Sequence, residues 1–254
     1  MTRSNKIYQI AIAIVLGNLL SLGLGVAPGV ADSNDGEELS QGLPGRRIGG
    51  GTRTPDASFS LEQQPLTALM PDSNLGIVTA ERSNLLFYVP QSDGPQKIEF
   101  VLRNADDELV YDTTFQMSAQ GGMVSMGLTD PDVLPELALN QDYQWYFSII
   151  ADDRAQDISV DGWVRRVDLN DWLSQQGLEQ SLAARIAEAS GLELARLLYQ
   201  EAGLWSEAVL LVNELRLSQP GNLAVLAEWE MLLETVGLEN IGQEAASGIF
   251  LARH

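Results

Sequence analysis

The chain has 254 residues, enough for one large domain or two small ones, and a formal net charge of -20. A surface this acidic repels nucleic-acid phosphates and anionic lipid headgroups, which excludes both as ready partners and leaves cationic segments or divalent ions. There is no cysteine, so disulfides, thiol catalysis, iron–sulfur ligation and lipidation at a cysteine are excluded.

Residues 1–31 read as a secretory signal peptide. Arg3 and Lys6 form a charged start, an apolar run extends from Ile7 to Val26, and Gly29-Val30-Ala31 offers small residues for cleavage. Gly17, Asn18, Ser21 and Gly23 interrupt the run and weaken it as a permanent span, although its length is close to the ~20 residues that cross a bilayer. The expectation is an exported protein, periplasmic or extracellular, with no membrane insertion after cleavage. Arg3 and Lys6 are the only charges in that segment, so the remainder carries 13 basic and 35 acidic residues, a charge of -22.

Residues 32–64 are rich in Gly, Ser, Asp and Pro without periodicity and read as a flexible linker. Within them PGRRIGGGTR, Pro44 to Arg53, lacks the G-x-x-x-x-G-K-[ST] spacing of a phosphate loop and reads as a basic tether. Residues 65–167 follow a period of two. Leu85, Phe87 and Val89 alternate, as do Ile98, Phe100 and Leu102, then Leu109 to Met117, then Val124, Met126 and Leu128. Leu75 to Val78 can add a strand. Asp142 to Val167 reads as two long strands around an acidic loop, with Tyr143, Trp145, Phe147 and Ile149 on one face. Six or seven such strands with turn residues between them predict an antiparallel β-sandwich, immunoglobulin/fibronectin-like, with a barrel as runner-up.

Residues 168–254 switch to a period of 3.6 and predict a C-terminal α-helical cap, making the whole α+β. Ala195, Tyr199, Gly203, Trp205, Ala208 and Pro220 follow the spacing of a tetratricopeptide hairpin, which this stretch resembles; Arg196 stands where that pattern has a small residue. One and a half such units cannot fold alone, so the helices are expected to lie on the sheet half and to cover Trp163 and Tyr146.

Four further stretches, GRRIGGGTR at Gly45 to Arg53, LTALMPDSNLGIVTAE at Leu66 to Glu81, LLFYVP at Leu85 to Pro90 and YQWYFSII with GWVRRV around Tyr143 and Trp163, resemble a cyanobacterial family of secreted proteins, domain of unknown function 928. AGLWSEAVLLVNELR, Ala202 to Arg216, fits the same resemblance. It implies export and the two-part fold, and it brings no activity with it.

Catalytic chemistry is scarce. The one histidine is the terminal His254, which leaves no Ser-His-Asp triad and no histidine-ligated metal. After residue 31 the only lysine is Lys97. Asp152, Asp153 and Asp157, and Asp106, Asp107 and Glu108, are loop acids open to calcium but most simply solvated. The expectation is a non-enzymatic binding or scaffold protein without cofactor or metal. The candidate binding residues are Trp163, Arg165, Tyr146 and Trp172, with Glu193, Gln200 and Glu201 lining a helical groove suited to a cationic protein segment or another envelope component. Arg165 is expected to pair with Asp161 or Asp168, and Trp172 to be exposed. The alternative is a carbohydrate-binding or envelope-remodelling protein that stacks sugars on surface aromatics beside carboxylates.

Overall fold

The alternating segments do become strands, and their two faces decide what lies on each side. A computed structural model describes residues 43–49, 64–81, 83–128, 136–179, 181–244 and 249–251. In chain order the strands are β1 (Thr67–Ala68), β2 (Leu75–Val78), β3 (Asn84–Val89), β4 (Gln96–Arg103), β5 (Leu109–Met117), β6 (Gly122–Gly127), β7 (Asp142–Ile150) and β8 (Ile158–Arg166). The helices α1 (Leu169–Gln175), α2 (Ser181–Glu188), α3 (Gly191–Arg196), α4 (Trp205–Ser218), α5 (Leu223–Glu234) and α6 (Glu239–Glu244) follow, and β9 (Ile249–Leu251) closes the order. The result is a mixed α+β fold of two sheets and six α-helices among the described residues. The signal-peptide reading of residues 1–31 lies outside them.

One sheet runs β1-β3-β6-β9 and the other β2-β8-β7-β4-β5. Most pairs are antiparallel, as expected, but β2 pairs parallel with β8 and β9 parallel with β6, so the sheets are mixed. Both parallel strands come from distant parts of the chain and occupy edges that no hairpin could reach. Strand β9 also corrects the reading of residues 168–254 as wholly helical.

Strand β3, NLLFYV, is apolar on both faces because it is buried on both. Phe87 and Val89 point into a core shared with the five-stranded sheet, while Leu86 and Tyr88 point into a second core with the helices. In the first core Phe87 stacks on Phe147 with centroids 4.1 Å apart and meets Trp145 edge-on at 5.2 Å. Ile98, Phe100 and Leu102 of β4 and Val160 and Val164 of β8 complete it. Gly162 has no side chain for a spatial reason: a Cβ there would lie 2.6 Å from Cζ2 of Trp145 and 2.9 Å from Sδ of Met70.

The helices lie on the sheets, as the short stack requires. Their core takes in Leu86 and Tyr88 of β3, Met123 of β6 and Ile77 of β2. Glu207 of α4 accepts hydrogen bonds from the backbone N–H and the hydroxyl of Thr79, tying the helix to the end of β2. The expected hairpin is interrupted by one π-helical turn, Leu197–Glu201, in which the Ala202 N–H reaches the Leu197 carbonyl at 2.9 Å. Such turns widen a helix locally and reorient its side chains.

Residues 43–49, read from the sequence as part of a flexible linker, are instead an ordered strap. Arg46 exchanges backbone hydrogen bonds of 3.0 and 2.9 Å with Asp161 on the free half of the β8 edge. Two residues on, the strap changes sheets: Gly49 donates to Leu66 at 2.7 Å, Ala68 donates to Arg47 at 2.7 Å, and Ile48 lies opposite Thr67. The Arg47 guanidinium donates to the Met70 carbonyl at 3.0 Å, and burial lowers its pKa against the opposing pull of Asp72. The low-complexity composition concealed this because the hydrogen bonds are made by backbone, which composition does not encode.

Candidate functional site

The candidate residues fall into three places. Tyr146, Trp163 and Arg165 share the outer face of the five-stranded sheet, since β7 and β8 pair Gln144 with Trp163, Tyr146 with Asp161 and Asp142 with Arg165. Trp163 is not covered by the helices in the way expected. Its indole N–H donates to the Pro44 carbonyl of the strap at 2.8 Å, and a cavity of only about 20 Å³ separates it from Ser206, Val209 and Leu210 of α4. That space holds at most one water. Tyr146 remains half-exposed on the sheet face; burial, then Asp161 and Asp107, raise its pKa above the usual 10.0. Asp161 is also raised, by desolvation, against the backbone and charge of Arg46.

Arg165 does not pair with Asp161 or Asp168. It makes a two-pronged ion pair with Asp142, its cross-strand partner, at 2.5 and 2.8 Å. Asp142 is 23 residues away in sequence, and only the β7–β8 register brings it opposite. Asp168 instead caps α1, accepting from the N–H groups of Asn170 and Asp171. The loop acids are similarly employed: Asp153 caps the turn at Ala155, and Asp157 accepts from the Ala151 N–H and pairs with Arg154.

Trp172 corrects a second expectation. It is half-buried in the helical core, with its indole N–H donating to the Ala202 carbonyl at 2.8 Å at the end of the π turn. The stretch LNDWLSQ that carries it is helix α1, whose Leu173 faces the core. Seven residues give too few apolar positions for a period of 3.6 to stand out from the sequence.

The helical groove is where predicted residues do come together. Gln200 and Glu201 of the π turn face Glu179, Ser181 and Arg185 across a cleft of about 330 Å³ with Leu178 and Leu182 at its base. Arg185 binds Glu201 through both nitrogens at 2.6 and 2.7 Å, which lowers the Glu201 pKa and raises that of Arg185. Glu193 and Glu179 add to the negative field on Arg185. Three carboxylates thus surround one guanidinium on an exposed face.

Sequence reasoning missed the buried neighbour of this cleft. Glu228 on α5 is 1% exposed, and it accepts from Nε and Nη2 of Arg196 and from the Tyr199 hydroxyl. Gln200 in turn donates to the Tyr199 oxygen at 2.8 Å, so the network runs from the core to the cleft. Two signals were available. Glu228 lies on the stripe of Val225 and Leu232, and Arg196 occupies the position where the tetratricopeptide pattern has a small residue. The two departures compensate each other. Below them, Arg216 is buried over the ring of Trp229, 4.6 Å from its centroid, with Nη2 donating to Asn213.

Comparison with solved structures finds distant likenesses. A Bacteroides uniformis beta-glucuronidase matches at TM-score 0.26 and 9% identity, over 40% of this chain and 12% of that one. The T.fusca AA10A structure matches at TM-score 0.26 and 14% identity, over 37% of this chain and 52% of that one. A glycosyl hydrolase family 2 member from Bacteroides cellulosilyticus matches at TM-score 0.26 and 9% identity, over 73% and 38%. Such scores carry no inference about activity. No curated protein matches. The family model described as Domain of Unknown Function (DUF928) matches residues 48–246, and with it the strap's end, all six helices and every strand but β9: the chain belongs to the DUF928 family.

Proposed function

We propose that this chain is an exported, non-catalytic binding protein of the cell envelope, in which a β-sandwich carries a tetratricopeptide-like hairpin that receives a cationic protein segment. The cleft of Glu179, Gln200 and Glu201 around Arg185, with Glu193 outside its lining but adding to the negative field on Arg185, is the observation that carries this reading. An incoming lysine or arginine replaces Arg185 on Glu201 without burying an unpaired charge, and Leu178 and Leu182 take the apolar part of the segment. The shared inter-sheet core supports the sandwich, and Ala208, fully buried in the core of the helices, supports the hairpin. The carbohydrate alternative keeps Tyr146 beside Trp163 on one sheet face but loses Trp172 to the helical core.

The test is a pull-down from envelope extracts with the chain lacking residues 1–31 as bait, at low and high salt, alongside a triple variant, Glu179→Gln, Glu193→Gln, Glu201→Gln. A partner with a basic segment, retained at low salt and lost with the variant, is the expected result. Absence of any partner at low salt, or retention that ignores the three carboxylates, overturns the proposal.

A further inference from the structure

One turn of the chain decides which side chain faces the cleft. Helix α3 runs on into the π turn, where Leu197 and Leu198 are both buried. In an unbroken α-helix the residue four places on shares a face, so Glu201 would follow Leu197 into the core. The π turn adds one residue. The Ala202 N–H bonds the Leu197 carbonyl at 2.9 Å, and Ala202, 1% exposed, takes the buried place instead. Glu201 is thereby set outside, where both its oxygens accept from Arg185 at 2.6 and 2.7 Å.

This turn is held from elsewhere in the chain. The Leu198 carbonyl is answered locally, by the Leu204 N–H at 2.8 Å. Gly203, at a φ of 69°, ends the helix, so the carbonyl of buried Ala202 has no next helical turn to bond. Its donor is the indole N–H of Trp172 in α1, 30 residues earlier, at 2.8 Å. We propose that Trp172 is a positioning residue of the cleft: through the Ala202 carbonyl it keeps the π turn in the register that presents Glu201 to a guanidinium. Arg185 supplies that guanidinium here; that an arginine of the incoming segment replaces it rests on the function proposed above. Without the indole N–H the Ala202 carbonyl is left unpaired among apolar side chains. The turn relieves this by closing to the α register, and Glu201 swings away from Arg185.

The experiment follows the Glu201 carboxyl by carbon-13 NMR through a pH titration of the full-length chain, with thermal melting as the folding control. Trp172→Phe keeps an aromatic ring at this half-buried position and removes the N–H. In the wild type the bond from Arg185 holds the midpoint below the ordinary carboxylate range. In Trp172→Phe the midpoint is expected to rise into that range. Phe87→Ala opens the other core, and is expected to lower the melting temperature while leaving the Glu201 midpoint where it is. An unchanged midpoint in Trp172→Phe overturns the proposal. So does an equal rise in Phe87→Ala, because Glu201 then answers to general loosening and not to Trp172. No partner enters this titration, so it can succeed where the pull-down fails, and the reverse.

Discussion

Arg196 and Glu228 form an ion pair whose two ends stand in different solvents, and that predicts an asymmetric response to truncation. The Arg196 side chain is 51% exposed and that of Glu228 1%. Arg196→Ala strips Glu228 of both guanidinium bonds and leaves a buried carboxylate with only the Tyr199 hydroxyl. Breaking a buried pair from this side costs about 3 kcal/mol or more. Glu228→Leu leaves Arg196 free to turn into water and Tyr199 still bonded to Gln200, so the loss is that of a few bonds, about 1 kcal/mol. The double variant, Arg196→Met with Glu228→Leu, returns to within about 1 kcal/mol of wild type, since an apolar pair of similar volume replaces both ions. Urea unfolding followed by far-ultraviolet circular dichroism at neutral pH measures all three. A loss of about 3 kcal/mol shifts the midpoint of thermal unfolding by roughly 6–12 °C for a domain of this size. Equal losses for the two single variants would refute the reasoning, because they would mean that the exposure difference does not govern the energetics.

Three further outcomes are expected. Phe87→Ala removes a fully buried ring stacked on Phe147 and edge-on to Trp145, and costs about 3–5 kcal/mol in chemical denaturation. Gly162→Ala drives a methyl into Trp145 and Met70 and costs about 1–3 kcal/mol, visible also as a changed near-ultraviolet tryptophan signal; an unchanged spectrum and midpoint would show that the two side chains give way freely. Tyr146 and Tyr199 both have pKa values raised by burial, Tyr199 also by its bond to Glu228. The folded state therefore keeps protons that the unfolded state releases above the usual 10.0, so these tyrosines' contribution to stability is intact below that pH and is lost as pH rises through the raised values. Unfolding at graded alkaline pH should show a steeper decline in wild type than in a Tyr146→Phe, Tyr199→Phe variant.

Local periodicity carried most of the element assignments, because alternation along a strand and a 3.6 period along a helix are imposed by neighbours in sequence. Ile98, Phe100 and Leu102 announce β4 and its buried face without reference to any other segment, whereas the alternation of Leu85, Phe87 and Val89 announced only one buried face of β3, and the cover over Leu86 and Tyr88 came from the helices. The candidate site was legible only where one short stretch supplied its residues. Gln200 and Glu201 do line one cleft, whereas Trp172, set in a seven-residue helix, offered no such regularity.

Pairing between distant segments was decided by the tertiary structure alone. Arg165 had Asp161 and Asp168 near it in sequence, and the β7–β8 register, not proximity along the chain, gives it Asp142. The parallel edges β2 and β9 and the strap at residues 43–49 are joined by main-chain hydrogen bonds, which every residue but proline can make and which leave no trace in side-chain pattern. Glu228 and Arg196 each look misplaced until the two helices are brought together. Sequence thus determined which faces had to be hidden, through the cost of leaving apolar side chains in water. Which face met which depended on contacts between parts of the chain that carry no local record of one another.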